Sequence, residues 1–397
     1  MSLVGSWITR VATSWLVYRL TGSVLLLGLV GFASQIPNLL LAPFAGVLID
    51  RWNRHRILVV TQVLSMVQSF ALAGLSFAGI ITVRDVLLLQ LLQGIINAFD
   101  TPARQSFVVQ MVDDRADLPN AIALNSSMVN LSRVIGPSIG GVIIAAAGEA
   151  WCFLIDGVSY IAVIGSLLAM RVAVRPRVVS TTRLSEELRD GFRYVTGFPP
   201  IRSALLLLAL VSIMGMPYTV LMPAIARNVL GGDSHTLGFL MTASGLGALG
   251  GAFYLASRRS VIGLGRVIAV AACTFGGSLV LFSFSRNMVL SMVLLTVVGA
   301  GMMVTMASTN TILQTIVEER LRGRVMSFYT MAFLGATPIG SLLAGILADR
   351  VGPTNTILIG GLACIATGSW FAVRLPKFRA MVRPIYIEQG IIRDTGT

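Results

Sequence analysis

The chain has 397 residues, of which 55% are hydrophobic and only 12% are charged, and its mean hydropathy is +0.83. A soluble domain carries about 25% charged residues, so this composition excludes an ordinary soluble protein and indicates an integral membrane protein. The formal net charge of +13 does not indicate nucleic-acid binding, because the basic residues are dispersed over several loops.

Apolar runs alternate with short charged breaks along the whole chain. Several runs exceed the roughly 20 residues that a helix needs to cross the hydrocarbon core of a bilayer. This pattern predicts an all-α membrane protein with about twelve transmembrane helices, at residues 2–20, 23–49, 56–79, 85–111, 120–147, 151–170, 202–229, 235–257, 263–284, 288–316, 323–348 and 354–373. The first predicted helix begins almost at Met1 without a basic lead, which leaves open that the chain is truncated there.

The basic residues predict the orientation of these helices. With the N-terminus inside, three of the 30 Lys and Arg residues fall within helices, and most of the others fall in cytoplasmic loops and the tail. The exceptions lie outside or at outer helix ends and are Arg19, Arg84, Arg227, Arg286 and Arg350. This asymmetry follows the positive-inside rule, so we expect both termini in the cytoplasm and a location in the cell (inner) membrane.

One long polar connection divides the chain near its middle. We therefore expect an N-terminal six-helix bundle at 1–175, a cytoplasmic linker at 176–200, a C-terminal six-helix bundle at 201–375 and a cytoplasmic tail at 376–397. Within the linker, Ser185 is a suitable N-cap, and apolar residues from Leu184 to Val195 recur at helical spacing. This spacing predicts a short amphipathic helix at the inner membrane surface.

Three weak internal repeats support two related halves. LGLVGFAS at 27–34 resembles LGFLMTAS at 237–244, and VDDR at 112–115 resembles VEER at 317–320. GVIIAAAG at 141–148 has the glycine spacing of GILADRVG at 345–352. The three matches share their order and nearly share their offset, so we expect two pseudo-symmetric six-helix bundles.

The turn after the second predicted helix concentrates charge. It contains Gly46, Asp50, Arg51, Arg54 and Arg56. A glycine allows close helix approach, an aspartate can accept charge-assisted hydrogen bonds, and arginines anchor a turn in the inner headgroups. The alternative is that the cluster is only a topology signal, because any inner loop collects arginine.

The fourth predicted helix has a polar stripe. Its members fall within an arc of roughly 80° and are Gln90, Gln93, Asn97, Asp100 and Arg104. Lipid cannot satisfy such groups, so the stripe is expected to face other helices or a water-filled cavity. Asp100 and Arg104 can pair at i,i+4, either as a static lock on helix packing or as a site of substrate or proton coupling.

Further polar residues lie in the first, fifth and sixth predicted helices. Arg10 and Arg133 are cations at bilayer depth that need partners, and Asn125 lies on the helix of Arg133. Asp156 is an acidic partner for them, unless it is solvated near the outer end of its helix. We expect one network of Arg10, Arg104, Arg133, Asp100 and Asp156 rather than a single ion pair.

These motifs resemble the major facilitator superfamily (MFS) of secondary transporters over almost the whole chain. Gly46, Asp50, Arg51, Arg54 and Arg56 match its signature after the second helix. SRVIGPSIGG at 132–141 is similar to its antiporter motif, with Ser132 in place of the first glycine and with Gly136, Pro137, Gly140 and Gly141 retained. Gln90 departs from the arginine that commonly precedes the Gln93-Gly94 pair, which argues against a simple copy of the family's proton relay. AFDTPARQS and TGSVLLLGLVGFA resemble the branch that includes enterobactin exporters and macrolide or multidrug efflux proteins.

The resemblance implies a proton-driven exporter of a small amphipathic molecule, such as a siderophore or a drug. The two bundles are expected to rock against each other, with Asp100 as the coupling acid and Asp50 acting on a conformational latch. The alternatives are a transport-dead membrane scaffold or sensor with the same fold, and an uptake carrier of the same superfamily.

No enzyme chemistry is indicated by the sequence. There is no nucleophile with a base, no phosphate loop and no pair of histidine ligands, since His55 and His235 fall in loops on opposite sides. Three isolated cysteines, Cys152, Cys273 and Cys364, form no disulfide or metal pattern. We expect no cofactor and no metal, a monomer, and as partners a small-molecule substrate, protons and the lipid bilayer, without nucleic acid.

Overall fold

The computed structural model describes residues 2–111, 117–170, 192–258, 260–389 and 391–392. Within these ranges the chain forms twelve helical passes. They are α1 (Ser2–Thr21), α2 (Val24–Arg51), α3 (Arg54–Phe77), α4 (Val83–Met111), α5 (Leu118–Ala147), α6 (Glu149–Ala169), α7 (Pro199–Met214, Tyr218–Ala224 and a π-helical turn, Ile225–Val229), α8 (Ser234–Ser257), α9 (Leu264–Phe284), α10 (Met288–Ile316), α11 (Glu319–Thr330, a π-helical turn at Met331–Gly335, and Ala336–Val351) and α12 (Pro353–Glu388).

Ten of these passes are long and apolar enough to cross a membrane. The other two are α1, which contains Arg10 and Arg19, and α5, in which only Leu131–Ala147 forms an apolar stretch. The predicted bounds agree with the structure to within a few residues for most helices. The exception is α12, which continues to Glu388 beyond the predicted end at 373. The prediction ended where the apolar segment ends, but the helix extends beyond it and contains Pro376 and Pro384. The chain is therefore an all-α, multi-pass membrane protein.

Proline breaks two of the passes. The first segment of α7 ends at Met214, and Pro217 precedes the next segment, because proline supplies no backbone N–H for a helical hydrogen bond. Pro223 and Pro338 both lie next to π-helical turns. Pro102 lies inside α4, which continues through it.

The two halves have the same helix packing. In the N-terminal half the most extensive contacts join α2 to α4, α3 to α6, α3 to α4, and α1 to α5 and α6. In the C-terminal half the equivalent pairs are α8 with α10, α9 with α12, α9 with α10, and α7 with α11 and α12. The repeats at 27–34 and 237–244 lie in the equivalent helices α2 and α8, and those at 141–148 and 345–352 lie at the ends of the equivalent helices α5 and α11.

Two equivalent seams join the halves, one between α2 and α11 and one between α5 and α8. A Cβ atom added to Gly28 would lie 2.7 Å from the Cα of Gly345. A Cβ atom added to Gly141 would lie 3.0 Å from the Cα of Gly238. All four glycines lie towards the end of the bundle where the connections between helices are short, which we call the short-loop end. The end that carries both termini is called the terminal end.

The predicted linker helix begins outside the described residues, since 171–191 are not described. Its last turn, 192–197, is helical, with Val195 buried and Phe192 against Phe328 of α11 at 6.3 Å between ring centroids. The repeat at 112–115 also lies outside the described residues.

Candidate functional site

The polar stripe of α4 faces other helices of its own half. Gln90 is buried and donates from Nε2 to Thr13 Oγ1 of α1 at 3.2 Å. Gln93 donates to Ser65 Oγ of α3 at 3.2 Å and to Asn97 Oδ1 at 3.1 Å. These contacts pair the amide NH2 groups, which lipid could not do, so this part of the stripe joins α4 to α1 and α3; Gln93 Oε1 is buried without a hydrogen-bond partner among the described residues.

Asp100 is held by donors from two helices. Its Oδ1 accepts hydrogen bonds from Thr61 Oγ1 at 3.0 Å and Gln62 Nε2 at 2.7 Å, and its Oδ2 lies 3.5 Å from Arg104 Nη2. Asp100 is buried, whereas 44% of the Arg104 side chain is exposed. At ~1.5 Å rise per residue, Asp100 lies about 25 Å from the start of α4 and about 17 Å from its last residue, and therefore in the half of the helix that is nearer the terminal end.

Asp156 of α6 is a second buried carboxyl group, 2% exposed, so the alternative that it is solvated is wrong. Its Oδ2 accepts from Thr9 Oγ1 of α1 and Ser69 Oγ of α3, each at 3.0 Å. Its Oδ1 has no hydrogen-bond partner among the described residues. Oδ1 rests against Gly5, where any side chain would occupy its position.

Arg10 and Arg133 both lie against the indole ring of Trp7. Their guanidinium carbons are 5.0 Å and 5.9 Å from the ring centroid. Neither has an acidic oxygen within 4.0 Å among the residues that the structure describes. Arg133 Nη2 lies 4.0 Å from the sulfur of Met302 in α10, so this cluster is on the side of the N-terminal half that faces the C-terminal half.

The predicted five-member charge network is therefore wrong. Asp156 binds Thr9, and Arg10 is the next residue of α1, so the two side chains point about 100° apart around the helix. Asp100 pairs with Arg104 one turn along its own helix, in the half of α4 that is nearer the terminal end. The five groups thus occupy three places: an ion pair, an isolated carboxyl group and a pair of arginines.

The glycines of the motif in α5 serve two different contacts. Gly136 and Gly140 face α1, where a Cβ on Gly136 would collide with Trp7 and a Cβ on Gly140 would lie 3.3 Å from the Cα of Ile8. Pro137 and Gly141 face α8 at Gly238. The same short motif thus positions Trp7 and closes one seam between the halves. Asn125 lies half-buried nearer the start of α5.

The charged turn joins α2 to α3. Gly46, Asp50 and Arg51 lie in the last turns of α2, and their side chains are outside the described part of the chain. Asn53 caps α3 by accepting from the Arg56 amide at 3.3 Å, with the Arg56 side chain exposed and Arg54 buried. His55 contacts the Leu167 carbonyl through Nε2 at 2.7 Å, which ties the turn to α6.

Sequence reasoning missed the residues that organise these groups. Trp7 lies three residues before Arg10, a spacing at which side chains on a helix meet, so it could have been identified. No sequence pattern identified Thr9 and Ser69 as the partners of Asp156. Nor did any pattern predict the hydrogen bond between Tyr218 Oη and Ser244 Oγ, which is 2.6 Å long. Within the described ranges, no three His, Cys, Asp or Glu side chains form a group suited to a metal ion.

Comparison with known proteins defines the class. The model of the transmembrane secretion effector family matches residues 1–386, so the chain belongs to that family of MFS transporters. It is 28% identical to the staphyloferrin A transporter of Staphylococcus aureus over 382 residues, covering 95% of this chain and 94% of that protein. It is 28% identical over 388 residues to the multidrug efflux pump Tap of Mycolicibacterium fortuitum, covering 95% and 93% of the two chains. With macrolide efflux protein A of Streptococcus pyogenes the identity is 22% over 383 residues, covering 92% of each.

Solved structures share the fold. A bacterial homologue of the human lysosomal transporter Spinster, in an inward-facing and unoccupied conformation, matches with a TM-score of 0.71 and 16% identity, covering 97% of this chain and 95% of that one. The peptide transporter POT matches with a TM-score of 0.75 and 12% identity, covering 96% and 93%. At these identities the likeness shows the MFS fold with its two six-helix bundles.

Proposed function

We propose that the protein exports a small amphipathic molecule across the cell (inner) membrane by proton antiport. The single observation that carries this proposal is the isolated buried carboxyl group of Asp156. It lies in a half that contacts its partner half along two seams at which glycines meet. Seams of this kind can separate while each bundle stays intact, which is how alternating access operates. The names of the relatives, a siderophore transporter and two drug efflux proteins, support export as the direction.

The charge distribution supports the orientation. The described helix ends and loops at the terminal end, together with the last turns of α12, carry basic residues such as Arg56, Arg258, Lys377, Arg379 and Arg383. By the positive-inside rule the terminal end is cytoplasmic. The glycine seams then lie on the outer side, and the conformation with these seams closed is the inward-facing one.

Hydrogen-bond chemistry favours Asp156 over Asp100 as the proton carrier. The partners of Asp156 are hydroxyl groups, which can donate to a carboxylate or accept from a protonated carboxyl group. The partners of Asp100 include an amide nitrogen and a guanidinium, which only donate. Protonation of Asp100 on Oδ2 would remove the negative charge that faces Arg104 and place an O–H group opposite its guanidinium, whereas Asp156 can gain or lose a proton with its hydroxyl partners in place.

A proton route to Asp156 is also available. Tyr160 lies one turn along α6 from Asp156, towards the terminal end, and its hydroxyl is 3.5 Å from that of the exposed Ser6. We propose that protons leave Asp156 on this side while substrate departs on the other, as antiport requires.

The test uses everted membrane vesicles with an imposed proton gradient and two fluorescent dyes, fluorescein and rhodamine 6G. Asp156→Asn is expected to abolish gradient-driven accumulation while retaining gradient-independent exchange of the dye. Asp100→Asn, the matched carboxyl-to-amide change, is expected to keep gradient dependence. The reverse pattern would assign the coupling to Asp100, and wild-type vesicles that accumulate neither dye would contradict the export proposal.

A further inference from the structure

The pair of arginines on Trp7 calls for an explanation, because a charge at the bilayer centre is costly to retain. Even by insertion measurements an arginine at the middle of a transmembrane helix is strongly disfavoured unless it finds a partner or water. Arg10 lies midway along α1, and Arg133 lies midway along α5. The described buried carboxyl groups of this half are engaged elsewhere, Asp100 by Arg104, Asp156 by hydroxyl groups and Glu149 by Arg19.

The two guanidinium groups are near each other. Both lie within 6 Å of the same ring centroid, so their carbons are separated by at most about 11 Å. Like charges at this distance repel, which makes the pair unfavourable unless something neutralises it. The ring attracts both cations through its negative face, but a cation–π contact does not supply a negative charge.

The position of this pair gives access to a ligand. Arg10 is exposed, and Arg133 is half-buried and extends to Met302 in the other half. Trp7 packs on α5 at Gly136 through its Cβ and Cγ atoms, so the base of the side chain is held against backbone. A bound group would therefore meet two fork-shaped donors, an aromatic face and an adaptable thioether, contributed by both halves of the transporter.

We propose that Arg10, Arg133 and Trp7 bind the carboxylate group of an anionic amphipathic substrate. This inference rests on the proposed export function and names the charge class of its substrate. A guanidinium matches a carboxylate with two parallel hydrogen bonds, and two guanidinium groups can take one carboxylate between them or one each. Trp7 packs against the apolar part next to the carboxylate. Binding neutralises the arginine pair and joins residues of both halves.

The test compares two dyes with the same xanthene ring system and opposite charge. Fluorescein carries a carboxylate, and rhodamine 6G is a cationic ester. Binding of each is measured by fluorescence anisotropy to the purified protein in nanodiscs of uncharged phosphatidylcholine, without a proton gradient. The wild type is expected to bind fluorescein more tightly than rhodamine 6G, and Arg10→Gln and Arg133→Gln are each expected to weaken fluorescein binding about tenfold or more.

Two further variants separate a binding role from a folding role. Arg133→Lys keeps the charge and loses the fork, so its affinity for fluorescein is expected between those of Arg133→Gln and the wild type. Arg84→Gln removes the same charge at the exposed start of α4 and is expected to leave the affinity unchanged. Equal affinities of Arg133→Gln and Arg84→Gln for fluorescein would overturn the proposal, as would preferential binding of rhodamine 6G by the wild type.

The outcomes distinguish this inference from the export function. Gradient-driven transport of rhodamine 6G without fluorescein binding would leave export standing and overturn the anion site. Fluorescein binding that depends on Arg10 and Arg133, in a protein that accumulates neither dye in vesicles, would support the anion site and contradict export.

Discussion

The seam between α2 and α11 gives the most direct test of the proposed motion between the halves. In Gly28→Ala the new methyl group would lie 2.7 Å from both the Gly345 Cα and the Ser341 carbonyl oxygen, and these are backbone atoms that cannot rotate away. Normal contact needs roughly 1 Å more, so the helices must separate, and overpacking of this kind costs about 1–3 kcal/mol. Because this cost applies only while the seam is closed, it shifts the population of conformations by about 5-fold to 150-fold towards an open seam.

The readout is the rate at which a maleimide labels a cysteine buried in the closed seam. Ser341 is 0% exposed and lies beside Gly31, so Ser341→Cys serves as the reporter after Cys152, Cys273 and Cys364 are replaced by serine. Gly28→Ala is expected to raise the labelling rate within the range given above. Gly277→Ala is the control, since its Cβ meets nothing within 4 Å. Equal labelling rates in the two variants would refute the idea that glycine contact closes this seam.

Three smaller predictions concern single contacts. Tyr218→Phe leaves the buried Ser244 hydroxyl without its partner and is expected to lower the free energy of unfolding in detergent by about 1–2 kcal/mol, whereas the exposed Tyr254→Phe changes it little. Arg19→Gln removes an ion pair to Glu149 with two hydrogen bonds, of 2.7 Å and 3.1 Å. Because half of the Arg19 side chain is exposed and solvent screens the pair, the free energy of unfolding is expected to fall by about 1 kcal/mol, and a larger fall would contradict this argument. Gly136→Ala displaces Trp7 and is expected to weaken fluorescein binding, while Gly165→Ala, with no atom within 4 Å of the new methyl group, does not; equal binding would show that Trp7 needs no support from α5.

The fold follows from features that a sequence displays openly. Length and hydropathy define the passes, and the repeat between 27–34 and 237–244 pairs α2 with α8. The same comparison goes further, because Gly28 and Gly238 occupy equivalent positions at an offset of 210, and Gly141 and Gly345 do so at an offset of 204. Each seam joins one member of the first pair to one member of the second. The glycines of the repeated segments thus form the contacts between the halves. From the sequence, however, we could infer only that the two halves are related, and not which glycines meet.

The charge pairing could not be predicted in this way, because it depends on the rotation of each helix about its axis. A count of cations and carboxyl groups at bilayer depth assumes that any of them can pair. Adjacent residues on a helix point about 100° apart, so Thr9 contacts Asp156 while Arg10, the next residue, points away from it. The observed separation of these charges also changes the functional interpretation, which had assumed one network. Had Arg10 or Arg133 paired with Asp156, the pair would stabilise one packing and neither member would be free for a ligand or a proton. Because the structure keeps them apart, the carboxyl group is left free for the proposed proton exchange and the arginines for the proposed anion. The proposed transport therefore depends on the separation of these charges. Thr9→Arg, which brings a cation to Asp156, is expected to abolish proton-driven accumulation in vesicles while leaving fluorescein binding intact.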